Sequence, residues 1–263
     1  MMHSLACRIM FILGGHNLTD PWSSHGVADR TIREKRHLRR LFWLCFILDK
    51  EIALRTGQPP SIDDDQCDLT LPEGYLEVQY LDRSFYSDAR LLDDSAVPIH
   101  PGDLRLSIIK SKACKILYSA QALRKSDAEL LRDIRELDGE LERWRLSVPP
   151  RHRPVLSMPR SGARIDSIEC PESVRSIVIH FEYHHLVATI HRATGRCQSW
   201  KQGSGVMEGV SSSLAISVEA SRSTLLYLRF AIHALLGEAF WYVMNTRNTI
   251  CFLSDADHLT SSG

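Results

Sequence analysis

Apolar positions recur every three or four residues through most of the chain, the period of a helix that buries one face. Between residues 28 and 56 they are Leu38, Leu41, Phe42, Cys45, Leu48 and Ile52, which predicts one long central helix with these positions turned inward. Gly57 can take a positive φ at the helix end, and Pro59 and Pro60 cannot continue a helix. Leu5, Ile9 and Ile12 predict a shorter helix over residues 1–13. Leu104, Ile108, Ile109, Lys112, Ile116 and Ser119 trace a partly apolar stripe over residues 103–123. Ser126 and Glu129 make a Ser-x-x-Glu capping box, in which each side chain satisfies a free amide of the first turn. Behind it Leu130, Ile134, Leu137, Leu141 and Trp144 alternate at four and three, and Val148-Pro149-Pro150 closes the helix. That seam lasts about two heptads, short of the three or four a coiled coil needs. Further helices are predicted over 171–194, over 213–236 (Leu214, Val218, Ser221, Leu225, Leu228, Ile232, Leu235) and over 239–254, with Gly237 as the break. No stretch alternates as a strand would, so the predicted class is all-α, packed helical hairpins without an internal repeat.

Residues 74–101 read as a linker of low periodicity. Mobile loops are expected at about 147–170 (Pro-rich and basic) and 198–212 (Gly- and Ser-rich) within a single domain over 1–263. Lys+Arg and Asp+Glu number 32 each, so the formal charge is zero. A dedicated nucleic-acid-binding domain carries a basic excess, because phosphate neutralisation dominates its affinity. The cysteines at 7, 45, 67, 114, 170, 197 and 251 include no close pair, which leaves Cys-x-x-Cys zinc sites no foothold and reads as reduced intracellular thiols. Leu225 to Met244 is the most apolar span, but Arg229, His233 and Glu238 interrupt it, as in a buried helix pair rather than a membrane span. No cleavage site of a secretory leader is evident after the apolar start.

RRLFW, the following LDK and the ending GQPPSIDDDQCDLTLP resemble the signature of the fungal-specific transcription factor domain, the middle homology region of fungal zinc-cluster regulators. ACRIMFILGGHN, DGELERWRLSVPPRHRP, HFEYHHLVATIHR, AISVEASRSTLLYL and FWYVMNTRNTICFL resemble further segments of that family in order. The resemblance implies an all-helical regulatory domain in which Arg40, Leu41, Phe42, Trp43, Asp49, Gly57, Pro59, Pro60, Asp68 and Pro72 are structural signature residues. It also implies domain ahead of the first helix, so that Met1 reads as a beginning in mid-fold. The family usually has an arginine where Gln58 stands, and a charge pair from that arginine to an acid such as Asp49 would be missing here.

Two patterns offer chemistry. Asp64, Asp65 and Asp68 match the DDxxD motif with which terpene synthases hold magnesium diphosphate, and those enzymes are all-helical too. Spacing i, i+1, i+4 converges only on a helix, whereas prolines and Ser61 before the acids and Leu69-Thr70-Leu71-Pro72 after them favour extended chain. His180, His184 and His191 share a helix stripe, and i, i+4 histidines can chelate zinc. Phe181 stands where a His-Glu-x-x-His site has its base, and the resemblance gives His184, His185 and His191 a packing role. The basic positions Arg30, Arg33, Lys35, Arg36, Arg39 and Arg40 read as a solvated helix face or, more sharply, as a nuclear-import patch.

The reading is therefore a non-enzymatic regulatory domain acting on DNA-templated transcription in the nucleus. No catalytic, cofactor-binding or metal-ligating residue is assigned within the chain. Its partners would be co-regulators, related transcription factors or a small effector, with DNA reached only indirectly and no membrane involved. Two rivals stand beside it: a stand-alone helical interaction module that modulates related regulators, and the terpene-synthase-like enzyme.

Overall fold

The computed structural model describes residues 2–17, 30–72, 74–80, 102–156, 174–198 and 207–235. Among them the regular elements are all helical, as the periodicity predicts, in two compact units, Met1–Ser111 and Lys112–Gly263. The predicted helix over 239–254 lies outside the described residues.

In the first unit α1 (Met2–Ile12) packs against α2 (Arg30–Thr56). The helix ends at Gly57 with φ at 69°, a positive value of the kind the sequence allows there. The buried side of α2 differs from the predicted stripe. Phe42, Trp43, Phe46, Ile47, Asp49, Lys50, Ala53 and Leu54 are buried, while Leu48 is 43% and Ile52 42% exposed. Counting apolar positions alone misplaces the inner face round the helix, because this face also carries three charged residues, Arg39, Asp49 and Lys50. The correction to α1 is of the same kind: Cys7 and Met10 face the core, whereas Leu5, Ile9 and Ile12 are exposed. A short helix α3 (Tyr75–Val78) and α4 (Leu104–Ala113) complete the first unit. The Leu104 amide donates to the Tyr75 hydroxyl at 2.8 Å, and the Arg105 amide donates to the buried Asp103 carboxylate at 2.9 Å, which satisfies the free amides at the α4 start. The stripe predicted over 103–123 is not one α-helix. A π-turn occupies Cys114–Tyr118 and a 3₁₀ turn Ala122–Arg124.

In the second unit α5 (Asp127–Ser147) opens with the predicted capping box, Ser126 accepting from the Glu129 amide while Glu129 accepts from the Ser126 amide. Its buried face includes Leu130, Ile134, Leu137, Leu141 and Trp144, the five seam positions. α6 (Val174–Arg192) and α7 (Met207–Leu235) pack along each other, with α7 starting six residues ahead of the predicted 213. Burial of Ile177, Val178, Ile179, Tyr183, Leu186, Val187 and Ile190 leaves α6 covered on most sides, the pattern of a central helix.

Candidate functional site

The acidic loop after Gly57 is drawn back along α2 by three charged residues of that helix. Asp49 is 3% exposed and accepts from two consecutive loop amides, Ser61 at 2.8 Å and Ile62 at 3.0 Å. The next residue, Lys50, is fully buried. Its ammonium donates to the Ile62 carbonyl, lies 3.0 Å from Asp64 Oδ1 and 3.4 Å from Asp49 Oδ2, and sits 4.8 Å from the centre of the Phe46 ring. Three turns earlier, Arg39 donates through Nη2 to the carbonyls of Asp68 at 2.6 Å and Thr70 at 3.0 Å, its guanidinium lying over the Phe42 and Trp43 rings. Burial lowers the Arg39 pKa, and the Asp68 carboxylate 3.8 Å away works against that. Burial would raise the Asp68 carboxyl, yet hydrogen bonds from Thr70 hold it below its usual value.

This arrangement suits a lock. Each cation satisfies backbone carbonyls of a segment with no ladder of its own, and each acid satisfies amides that a helix would have paired internally. Lys110 extends the network from α4, with its fully buried ammonium 2.6 Å from Glu51 Oε2. Aromatic packing closes it below: Phe42, Trp43 and Phe46 meet edge-to-face or tilted, with ring centres 5.5–6.0 Å apart.

The signature residues fall into three groups. Phe42, Trp43, Asp49 and Pro72 are buried; Arg40, Leu41 and Asp68 are half-buried; Gly57, Pro59 and Pro60 are exposed at the stop. The sequence reading missed Arg39 and Lys50, each hidden as one more basic residue on a charged helix. The absent arginine at position 58 leaves Asp49 with amide partners rather than an ion pair to that position. The DDxxD acids do not converge. Asp64 turns to Lys50 and, at 2.8 Å, to the Ser111 hydroxyl; Asp65 is exposed in the 3₁₀ turn Asp64–Gln66; Asp68 faces Arg39.

The histidines of α6 are spent on packing. His180 Nδ1 meets the Ser176 carbonyl and His184 Nε2 the Val155 carbonyl, each at 2.8 Å, and the His180 ring stacks on Tyr227. Burial lowers the pKa of both to about 4. His191 bridges Ser213 Oγ at 2.8 Å and Asp138 Oδ1 at 3.1 Å. Of the proposed import patch, Arg39 is committed to the loop, while Arg30, Arg33 and Lys35 are exposed.

The pattern described as "Fungal specific transcription factor domain" matches residues 1–146, which takes in the central helix, the loop and the whole lock. The chain belongs to this family. It is a family of transcription regulators rather than of enzymes, and no zinc-cluster arrangement of cysteines occurs in the sequence. Among curated proteins, an ABC-transporter-regulating transcription factor of Aspergillus fumigatus is 36% identical over 167 residues, 64% of this chain and 17% of that protein. A protein of the same description from Aspergillus oryzae is 34% identical, again over 64% of this chain and 17% of its own length. Transcription factor PDR1 of Saccharomyces cerevisiae is 32% identical over 72 residues, 27% of this chain and 7% of its own. The chain thus spans about a sixth of the length of the two Aspergillus relatives. No solved structure matches significantly.

Proposed function

We propose that this chain is the regulatory domain of a fungal zinc-cluster-type transcription factor and controls DNA-templated transcription in the nucleus. It does so through co-regulators, related transcription factors or a small effector, and without reading DNA itself. The observation that carries the reading is the family match over residues 1–146, which coincides with the α2–loop lock. In this reading the signature residues are structural, and both compact units belong to one regulatory domain. The zero formal charge supports indirect action, since the phosphate-neutralising excess of a DNA-binding module is missing. Arg39 supports it further: the basic run of α2 is partly consumed by intramolecular contacts, and its next turns bury Phe42, Trp43, Phe46 and Ile47. Control of transporter genes, the role printed in the names of the two Aspergillus relatives, is the first target class to examine.

A selection from random duplexes at physiological salt should return a flat profile. The same chain fused to a heterologous DNA-binding domain should change reporter output. A reproducible enriched motif from the unfused chain would refute indirect action, and a fusion without effect on the reporter would refute the regulatory role.

A further inference from the structure

We propose that the seam between α1 and α2 carries a site for one zinc-class transition-metal ion, with His3, Cys7 and Asp49 as ligands and the fourth position left to a water. The site is separate from the lock's function in holding the loop, although it shares Asp49 with it. His3 and Cys7 stand one turn apart on α1, and Asp49 lies on α2, which packs against it. Residues at i and i+4 share a helix face, so α1 offers two donors to the one from α2. His3 Nε2 is 3.3 Å from Cys7 Sγ and 3.5 Å from Asp49 Oδ1, and the three donor atoms all lie within 4.8 Å of one another.

Zinc's tetrahedral geometry supplies a test of fit. Bonds of about 2.3 Å to sulfur and about 2.0 Å to nitrogen or oxygen put a nitrogen–sulfur edge at ~3.5 Å and a nitrogen–oxygen edge at ~3.3 Å. The two measured edges, 3.3 and 3.5 Å, agree with these to within a few tenths of an ångström. The carboxylate is already aimed, because Ser61 N–H holds Oδ1 and Ile62 N–H holds Oδ2, the outer-partner role that fixes a metal ligand's orientation. Cys7 and Asp49 are buried, while the His3 side chain is 20% exposed and offers a way in.

Charge points the same way. One neutral imidazole, one thiolate, one carboxylate and a dication sum to zero, so the loaded site carries no net charge. The Lys50 ammonium keeps Asp64 at 3.0 Å as its partner and, 3.4 Å from the far oxygen of Asp49, does not compete for Oδ1. Thiolate and imidazole donors select zinc-class ions over magnesium or calcium. A cysteine must deprotonate to ligate, so metal uptake releases a proton and weakens as pH falls.

The test uses the whole chain, reduced and freed of metal, titrated with Zn²⁺ against a chromophoric chelator and separately with Co²⁺. One equivalent should bind, and Co²⁺ should show the intense visible bands of a tetrahedral site with a thiolate charge-transfer band. His3→Ala should weaken zinc by more than the roughly 10–100-fold that loss of an outer partner costs, with the melting temperature of the metal-free protein little changed. Cys7→Ser should weaken zinc likewise and remove the charge-transfer band. No stoichiometric uptake would overturn the site. Uptake that either variant leaves unaltered would overturn the assigned ligands.

Discussion

Lys50→Met tests the lock most directly. Methionine nearly matches lysine in length and adapts to irregular gaps, so the change removes a charge and three donors while opening little space. In the native chain the ammonium has no exposure and serves the Ile62 carbonyl, Asp64 and Asp49. Without it the Ile62 carbonyl loses its donor and two acids face each other across a dry site, although Asp49 keeps its loop amides and Asp64 keeps Ser111. Removing one partner of a buried ion pair costs about 3–5 kcal/mol, because the remaining charge is left uncompensated. Contact of the methionine sulfur with Phe46 returns about 0.3–1.5 kcal/mol. We therefore expect a loss of about 2–4 kcal/mol, or on the order of 10 °C in melting temperature for a chain of this size. Urea denaturation would be followed by circular dichroism and by tryptophan fluorescence, whose coincidence licenses a two-state treatment. Lys112→Met is the internal control: that side chain is 49% exposed and pairs with Glu140 at the surface, so its loss should cost less than about 1 kcal/mol. If Lys50→Met costs no more than the control, the ammonium does not hold the loop and the lock is misassigned.

Trp43→Ala empties a fully buried aromatic site between Phe42 and Phe46 and should cost about 3–5 kcal/mol, read by the same urea melts. Ser126→Ala removes the capping box of α5 and should cost about 1 kcal/mol. His184 is buried, with its pKa lowered by burial from 6.5 to about 4. Above pH 6.5 folded and unfolded forms are both neutral and its contribution is flat; as pH falls below 6.5 the unfolded form takes the proton first, so stability declines by up to about 1.4 kcal/mol per pH unit and levels near pH 4. His180, lowered to about 4 by the same burial, adds a comparable slope, so His184→Asn should remove about half of the histidine decline in melts between pH 7 and 4.5; an unchanged profile would place the titrating group elsewhere.

Local signals were legible where one physical rule decides the outcome. The capping box at Ser126 and Glu129 and the five seam positions of α5 were readable because α5 buries a single apolar stripe. Gly57 was readable because glycine can take a positive φ at a helix end followed by prolines. The α2 face was not readable, because its burial is shared between Phe42, Trp43 and Phe46 and the charged Arg39, Asp49 and Lys50, and no apolar count includes a buried ammonium. Periodicity gives a helix but not which of two neighbouring stripes goes inside when partners to the charges lie on a distant loop. A lysine four positions before Leu54 reads as surface until Ile62 and Asp64 are seen beside it.

The same loop shows why a short acidic motif carries so little by itself. Asp64, Asp65 and Asp68 have the spacing of a diphosphate-binding helix, but backbone direction decides where carboxylates point. After Asp63 caps a single 3₁₀ turn, Cys67 returns to extended backbone at φ −129°, ψ 140°. From Asp68 onward the carbonyls are free to meet Arg39, and Asp68 and Thr70 both do. A helix continuing through this stretch would spend those carbonyls internally and strip Arg39 of its acceptors. Holding the loop extended and gathering the three acids toward one metal are therefore mutually exclusive uses of these residues. The buried guanidinium of Arg39, 2% exposed, is stable only with the first.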